Sequence, residues 1–133
     1  MPQSRLTLDF LPGTFAVALL PPDSRVPAWA EGADLVSVTR TPAELSIVCN
    51  DSAIPDGVQS QRGFRCLRVL GPLDFSLVGV LASLADPLAR AGISIFALST
   101  YETDYIFIPG RDIEAAVTAL SVAGHAIRGV GAA

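Results

Sequence analysis

The chain has 133 residues, half of them hydrophobic and 17% charged, with a formal net charge of −4. That size and balance suit one domain, or two very small ones sharing a core, and exclude a disordered chain. The negative charge excludes the concentrated basic surface that non-specific nucleic-acid binding needs. Pro, Gly, Asp or Arg also interrupts each apolar run before it could span a bilayer.

No basic–apolar–small-residue leader precedes Arg5, so no secretion is expected. In the first half, residues 15–20 form an apolar strand-like run, and residues 26–31 (VPAWAE) have room only for a short helix that Trp29 anchors to the sheet. Residues 35–38 and 45–49 flank a turn at residues 39–44. Residues 51–63 (DSAIPDGVQSQRG) carry Pro and Gly without periodicity and read as a loop or single turn. Cys49 and Cys66 show no metal or redox spacing and alternate with apolar neighbours. They read as buried, inert thiols, which fits a reducing, cytoplasmic setting.

The second half is more regular. Residues 64–70 alternate apolar and polar side chains as a strand does. Leu77, Val80, Leu81, Leu84 and Leu88 then recur at helical spacing, with Gly92 as the stop. Pro87 lies late in this helix, where its missing N–H is expected to bend it or open its last turn. Residues 93–100 and 104–108 form a hairpin whose tip runs Ser99-Thr100-Tyr101-Glu102-Thr103-Asp104. Ile113, Ala116, Val117 and Leu120 mark a second helix ended by Gly124, and residues 125–130 supply a short last strand. Strand–helix–strand–strand–helix–strand is the ferredoxin-like order. The first half repeats that order thinly, with helical mass lost.

The expected fold is therefore α/β in the α+β sense: two ferredoxin-like units in tandem, residues 5–63 and 64–130, with antiparallel strands and helices mainly on one face. Along residues 93–100, Ile95 and Ala97 face one way while Phe96 and Leu98 face the other. Both faces are apolar, so a further surface should cover part of the second, and unprotected edges predict a homodimer.

These residues resemble the ACT domain, the small regulatory module of many enzymes of amino-acid metabolism. The resemblance rests on the strand at 67–71, the loop-to-helix segment 74–79, Ala91-Gly92-Ile93, the strand 95–99 ending in Ser, the strand 104–109, and the helix 112–120 opened by Asp112. Pro72-Leu73-Asp74-Phe75 with Gly79, Asp86-Pro87-Leu88-Ala89, and Ser99-Thr100-Tyr101 with Asp104 are similar to the last ACT unit of CASTOR-type amino-acid sensors. Small stand-alone bacterial ACT proteins share that spacing. The resemblance implies a ligand between ACT units, held by Gly79 and Val80 at the helix start, Thr100 and Tyr101 at the hairpin tip, and Asp104. Where arginine sensors have a Glu before that Gly, this chain has Leu77. That points away from arginine.

Each candidate also has a reading from its own chemistry. Asp104 offers a carboxylate for a ligand ammonium, or is a solvated hairpin residue. Gly79, in the first turn, leaves backbone N–H donors open to a carboxylate, or permits close helix–sheet packing. Asp74 or Ser76 is the expected N-cap, with direct ligation by Asp74 the lesser reading. Thr100 contributes a hydroxyl, and Tyr101 a ring or a hydroxyl. Phe75 and Leu77 fill the core or wall a pocket. His125 is expected to cap carbonyls or be solvated, and Arg62, Arg65 and Arg68 to face solvent. No phosphate-binding Gly-rich loop, GxSxG or metal spacing points to an enzyme, a cofactor or a metal. The leading expectation is a non-catalytic regulatory module that binds a small amino acid, with a regulated protein as a further partner. The alternative is an interaction module of the same fold that has lost its ligand.

Overall fold

The computed structural model describes residues 5–32, 34–71 and 78–129. Along the chain run β1 (Thr7–Phe10), β2 (Phe15–Leu20), β3 (Ser37–Arg40), β4 (Leu45–Asn50), β5 (Ser60–Val69), α1 (Val80–Arg90), β6 (Phe96–Ser99), β7 (Asp104–Pro109), α2 (Ile113–Val122) and β8 (Ala126–Arg128). The chain divides into an N-terminal unit, Gly13–Phe64, and a C-terminal unit formed by Arg65–Ala133 together with Met1–Pro12. Against the expected segments 5–63 and 64–130, β1 therefore groups with the C-terminal unit.

In the N-terminal unit the strand order is β3–β4–β2–β5, every neighbour antiparallel. This is the ferredoxin-like order, but 3-10 turns at Ala28–Ala30 and Asp51–Ala53 stand where that motif has helices. The core is correspondingly slight: Ala16, Ala18, Leu45, Ile47 and Cys49 from the strands, with Ala30 and Ile54 beside the two turns. Trp29 is half-buried against it, as expected for an anchor.

The C-terminal unit keeps its helices. Leu84 and Leu88 of α1 and Ala116 and Leu120 of α2 enter one core with Leu8 of β1, Leu67 and Val69 of β5, and Ile106 and Ile108 of β7. Because successive strand side chains alternate in direction, one shared core puts both helices on the same sheet face. The order is β8–β1–β5–β7–β6. Thus β1 is inserted between the last and first strands of the ferredoxin-like set, antiparallel to β5 and parallel to β8. The pairing of β1 with β8 is a parallel one in a sheet expected to be mostly antiparallel. On the opposite face Cys66 and Phe107 are also buried, and Phe107 stacks on Phe96 with centroids 4.5 Å apart.

Both helices stop where glycine predicts. Gly92 (φ +76°) and Gly124 (φ +102°) adopt left-handed backbone that a side chain would strain. Paired C-terminal bonds, Ile93 N to Leu88 O and Gly92 N to Ala89 O, recur at the second helix as His125 N to Leu120 O and Gly124 N to Ser121 O, all 3.0 Å. Pro87 leaves the last turn of α1 closed, contrary to one expectation, since Ala91 N still reaches Pro87 O at 3.2 Å.

The cost of Pro87 falls one turn earlier. Its missing N–H would have served the Ser83 carbonyl. The ring of His125, placed just past Gly124, supplies the replacement. Its Nδ1 accepts from the Leu6 N–H at 3.1 Å, so the ring proton sits on Nε2 and is donated to Ser83 O at 3.0 Å. His125 is accordingly buried and not solvated.

Candidate ligand-binding site

Two elements of the C-terminal unit carry the expected site. The first is the start of α1. The expected N-caps do not start the helix: Gly79 is the N-cap, without a side-chain capping bond, and Ser83 N makes the first turn's bond to Gly79 O at 2.9 Å. Gly79 has φ +83°, and a Cβ built there meets nothing within 4 Å among the described residues. Left-handed backbone alone is reason for a glycine here. Val80 is buried, so its backbone N–H is what it can offer, while Leu81 is half-exposed and no core residue. Asp74, together with Phe75, Ser76 and Leu77, lies outside the described residues.

The second element is the β6–β7 tip. Thr100 N donates to Thr103 O at 2.8 Å, and the Thr100 hydroxyl accepts from Thr103 N at 3.3 Å, closing the turn. Thr103 is buried, and its Oγ1 donates to Val69 O at 2.6 Å, tying the tip to β5. The Ser99 hydroxyl donates to Asp104 Oδ1. Asp104 is half-buried, whereas Tyr101 at the apex is exposed.

Between this tip and the end of β5 lies a cleft of about 370 Å³, lined by Arg68, Leu70, Gly71, the tip residues 100–103 and Tyr105. Small-molecule sites run from about 300 to 1,000 Å³. Of the six expected ligand residues, the cleft brings together Thr100 and Tyr101. Asp104, Gly79 and Val80 are not among its lining residues.

Arg68 and Glu102 are the charged groups that the sequence reading did not select. Since Leu67 and Val69 point into the helix-side core, Arg68 points to the helix-free face. There it meets Asp9, its register partner on β1, whose partner on the other side is Arg128 of β8. Asp9 receives Arg128 Nε at 2.8 Å and Arg68 Nη2 at 3.2 Å. The bonds from Arg128 hold the Asp9 carboxyl below its usual 3.8; partial burial opposes this and the Arg68 bond adds to it. Of the other two arginines, Arg62 stays exposed as expected, whereas Arg65 is half-buried. Arg62 donates to Asp51 O and Ile54 O, and the Arg65 guanidinium lies 4.8 Å from the centre of the Phe10 ring.

Among the described residues no cluster of His, Cys, Asp or Glu is placed to hold a metal, and no helix is long and apolar enough to cross a membrane. The chain's likeness to known proteins follows the same division into units. A family model for the ACT domain matches residues 59–122, and a second, describing an N-terminal domain, matches residues 13–57. A protein from Agobacterium tumefaciens known from its crystal structure is 38% identical, with TM-score 0.89, over 94% of this chain and 93% of that one. The chain belongs to the ACT-domain family. A Vibrio cholerae protein of unknown function, described as a possible transport protein, shares the fold at TM-score 0.72 and 21% identity, over 90% of each chain. So does the regulatory subunit of aspartate kinase from Thermus thermophilus, at TM-score 0.59 and 19% identity, over 87% of this chain and 93% of that one.

Proposed function

We propose that this ACT protein is a non-catalytic regulatory module that binds a small amino acid at an ACT–ACT interface and works as a homodimer in the cytoplasm. The observation that carries the reading is the hairpin-tip cleft, where Thr100 and Tyr101 stand with charged groups of both signs, Arg68 and Glu102. A free amino acid presents both charges, and each charge-assisted hydrogen bond contributes about 1.5–3 kcal/mol net. Asp74, Gly79, Val80 and Asp104 are the further ligand residues proposed, with the backbone N–H groups of α1 taking the α-carboxylate and Asp104 the ammonium. Binding would shift an assembly equilibrium, and through it a regulated partner protein, by as much as the ligand prefers one state over the other.

Equilibrium dialysis with the common amino acids tests this. At least one is expected to bind, and Asp104→Ala is expected to weaken it. No binding by any amino acid would overturn the proposal. The 3-10 turns that replace both helices of the N-terminal unit favour the second reading, a protein-interaction module without a ligand. That reading predicts a partner complex indifferent to amino acids.

A further inference from the structure

We infer that Arg68 makes the site selective for an amino acid with an acidic side chain, an inference that rests on the proposed amino-acid site and names its ligand class. The argument is one of charge and hydrogen-bond capacity. Asp9 stands between Arg68 and Arg128 on three adjacent strands, so one carboxylate faces two guanidinium groups and the cluster keeps one positive charge in excess. Arg128 takes the larger share of Asp9, with Nε on Oδ1 at 2.8 Å and Nη2 on Oδ2 at 3.2 Å. Arg68 has a single contact, Nη2 on Oδ2 at 3.2 Å.

A guanidinium has five N–H donors. Among the described residues the other four of Arg68 have no acceptor, and its Nε is buried in that condition. Its side chain nonetheless stays 42% exposed and lines the cleft beside Thr100, Tyr101 and Tyr105. A half-sheltered fork that has spare donors among the described residues, and that shares Asp9 with a second guanidinium, suits a carboxylate, which it can meet with two parallel hydrogen bonds. In the proposed site the α-carboxylate and ammonium already have partners. The carboxylate left for Arg68 is the one on the ligand's side chain.

Calorimetric titration of the full chain with aspartate, glutamate, asparagine and glutamine tests this. An acid is expected to bind roughly ten- to a hundred-fold more tightly than its amide. Arg68→Met should abolish that preference while leaving amide binding in place. Asp9→Asn, which releases Arg68 from its only described partner, should preserve or widen it. This second variant separates a ligand contact from a structural ion pair, because both variants break the same pair yet only Arg68→Met is expected to remove the preference. Amides binding as well as acids, or Arg68→Met weakening acids and amides alike, would overturn the assignment and leave the amino-acid site standing. Binding of no amino acid would overturn both.

Discussion

The two units share one strand order and differ in what closes it. In the C-terminal unit two helices lay Leu84, Leu88, Ala116 and Leu120 over the sheet, whereas in the N-terminal unit 3-10 turns do the same work with Ala30 and Ile54. Small strand residues, Ala16 and Ala18, accompany the slighter cover. The pairing pattern is thus a property of the strands, and helices are a separable addition. Among the described residues, a helix long enough to present a row of free N–H groups survives only in the C-terminal unit.

The largest effects should come from each unit's core. Leu84 and Ile47 are both fully buried, one on the inner face of helix α1 and one on β4 in the core that the turns cover. Truncation of either to Ala is expected to cost about 2–5 kcal/mol, with Leu84 at the upper end. The reason is that α1 is held by Gly79, by the bonds at Gly92 and by His125, and so settles poorly into a cavity, whereas a single 3-10 turn can follow the loss. Urea unfolding of Leu84→Ala and Ile47→Ala would check the order. A larger loss at Ile47 would mean that the slighter unit is the more rigid one.

The His125 bridge has no counterpart in the N-terminal unit and comes next. His125→Phe keeps the ring but strands the Ser83 carbonyl and the Leu6 N–H, at about 1–3 kcal/mol. Restoring the helix donor with Pro87→Ala should make the same His125→Phe change cheaper. A double-mutant cycle is expected to give a coupling of about 1 kcal/mol. Strict additivity would show that the imidazole does not substitute for the missing helix N–H.

How much of this was legible depends on how far apart the interacting residues lie. The hairpin, both helices and their glycine stops follow from local periodicity and were readable. The start of α1 was not, because Leu77 continues the apolar spacing while the left-handed backbone of Gly79 leaves no trace in it. Nor was β1: four residues show too little alternation, and its partners are β5 and β8, far along the chain. Arg68 looked like a solvated strand residue because its register partner, Asp9, is 59 positions away. Glu102 was visible at the tip, but nothing local distinguishes a cleft wall from a solvated turn.

The Asp9 cluster should give a smaller, pH-dependent effect. A carboxyl whose pKa is lowered by folding stabilises the fold above its unfolded value, near 3.8, and loses that contribution as pH falls through the lower folded value. With half-exposed arginines as partners, Asp9→Asn is expected to cost about 1 kcal/mol at neutral pH. Melting temperatures of wild type and variant should therefore converge on acidification below that range. A gap that persists at the lowest pH would assign the loss to packing rather than charge.

The smallest perturbation reads the comparison without changing the sequence. Each unit has one buried free thiol, Cys49 in the N-terminal and Cys66 in the C-terminal. Burial raises both pKa values, and pushes Cys66 up to about 12, so neither is a reactive thiolate in the folded state at pH 8. Labelling by a thiol reagent then proceeds through local opening, at a rate set by the free energy of that opening. With the slighter core around it, Cys49 is expected to react first, and amino-acid ligands should slow Cys66 more than Cys49. Equal rates for the two thiols under every condition would mean that the units open as one body, and that the helix-poor unit is no weaker for having lost its helices.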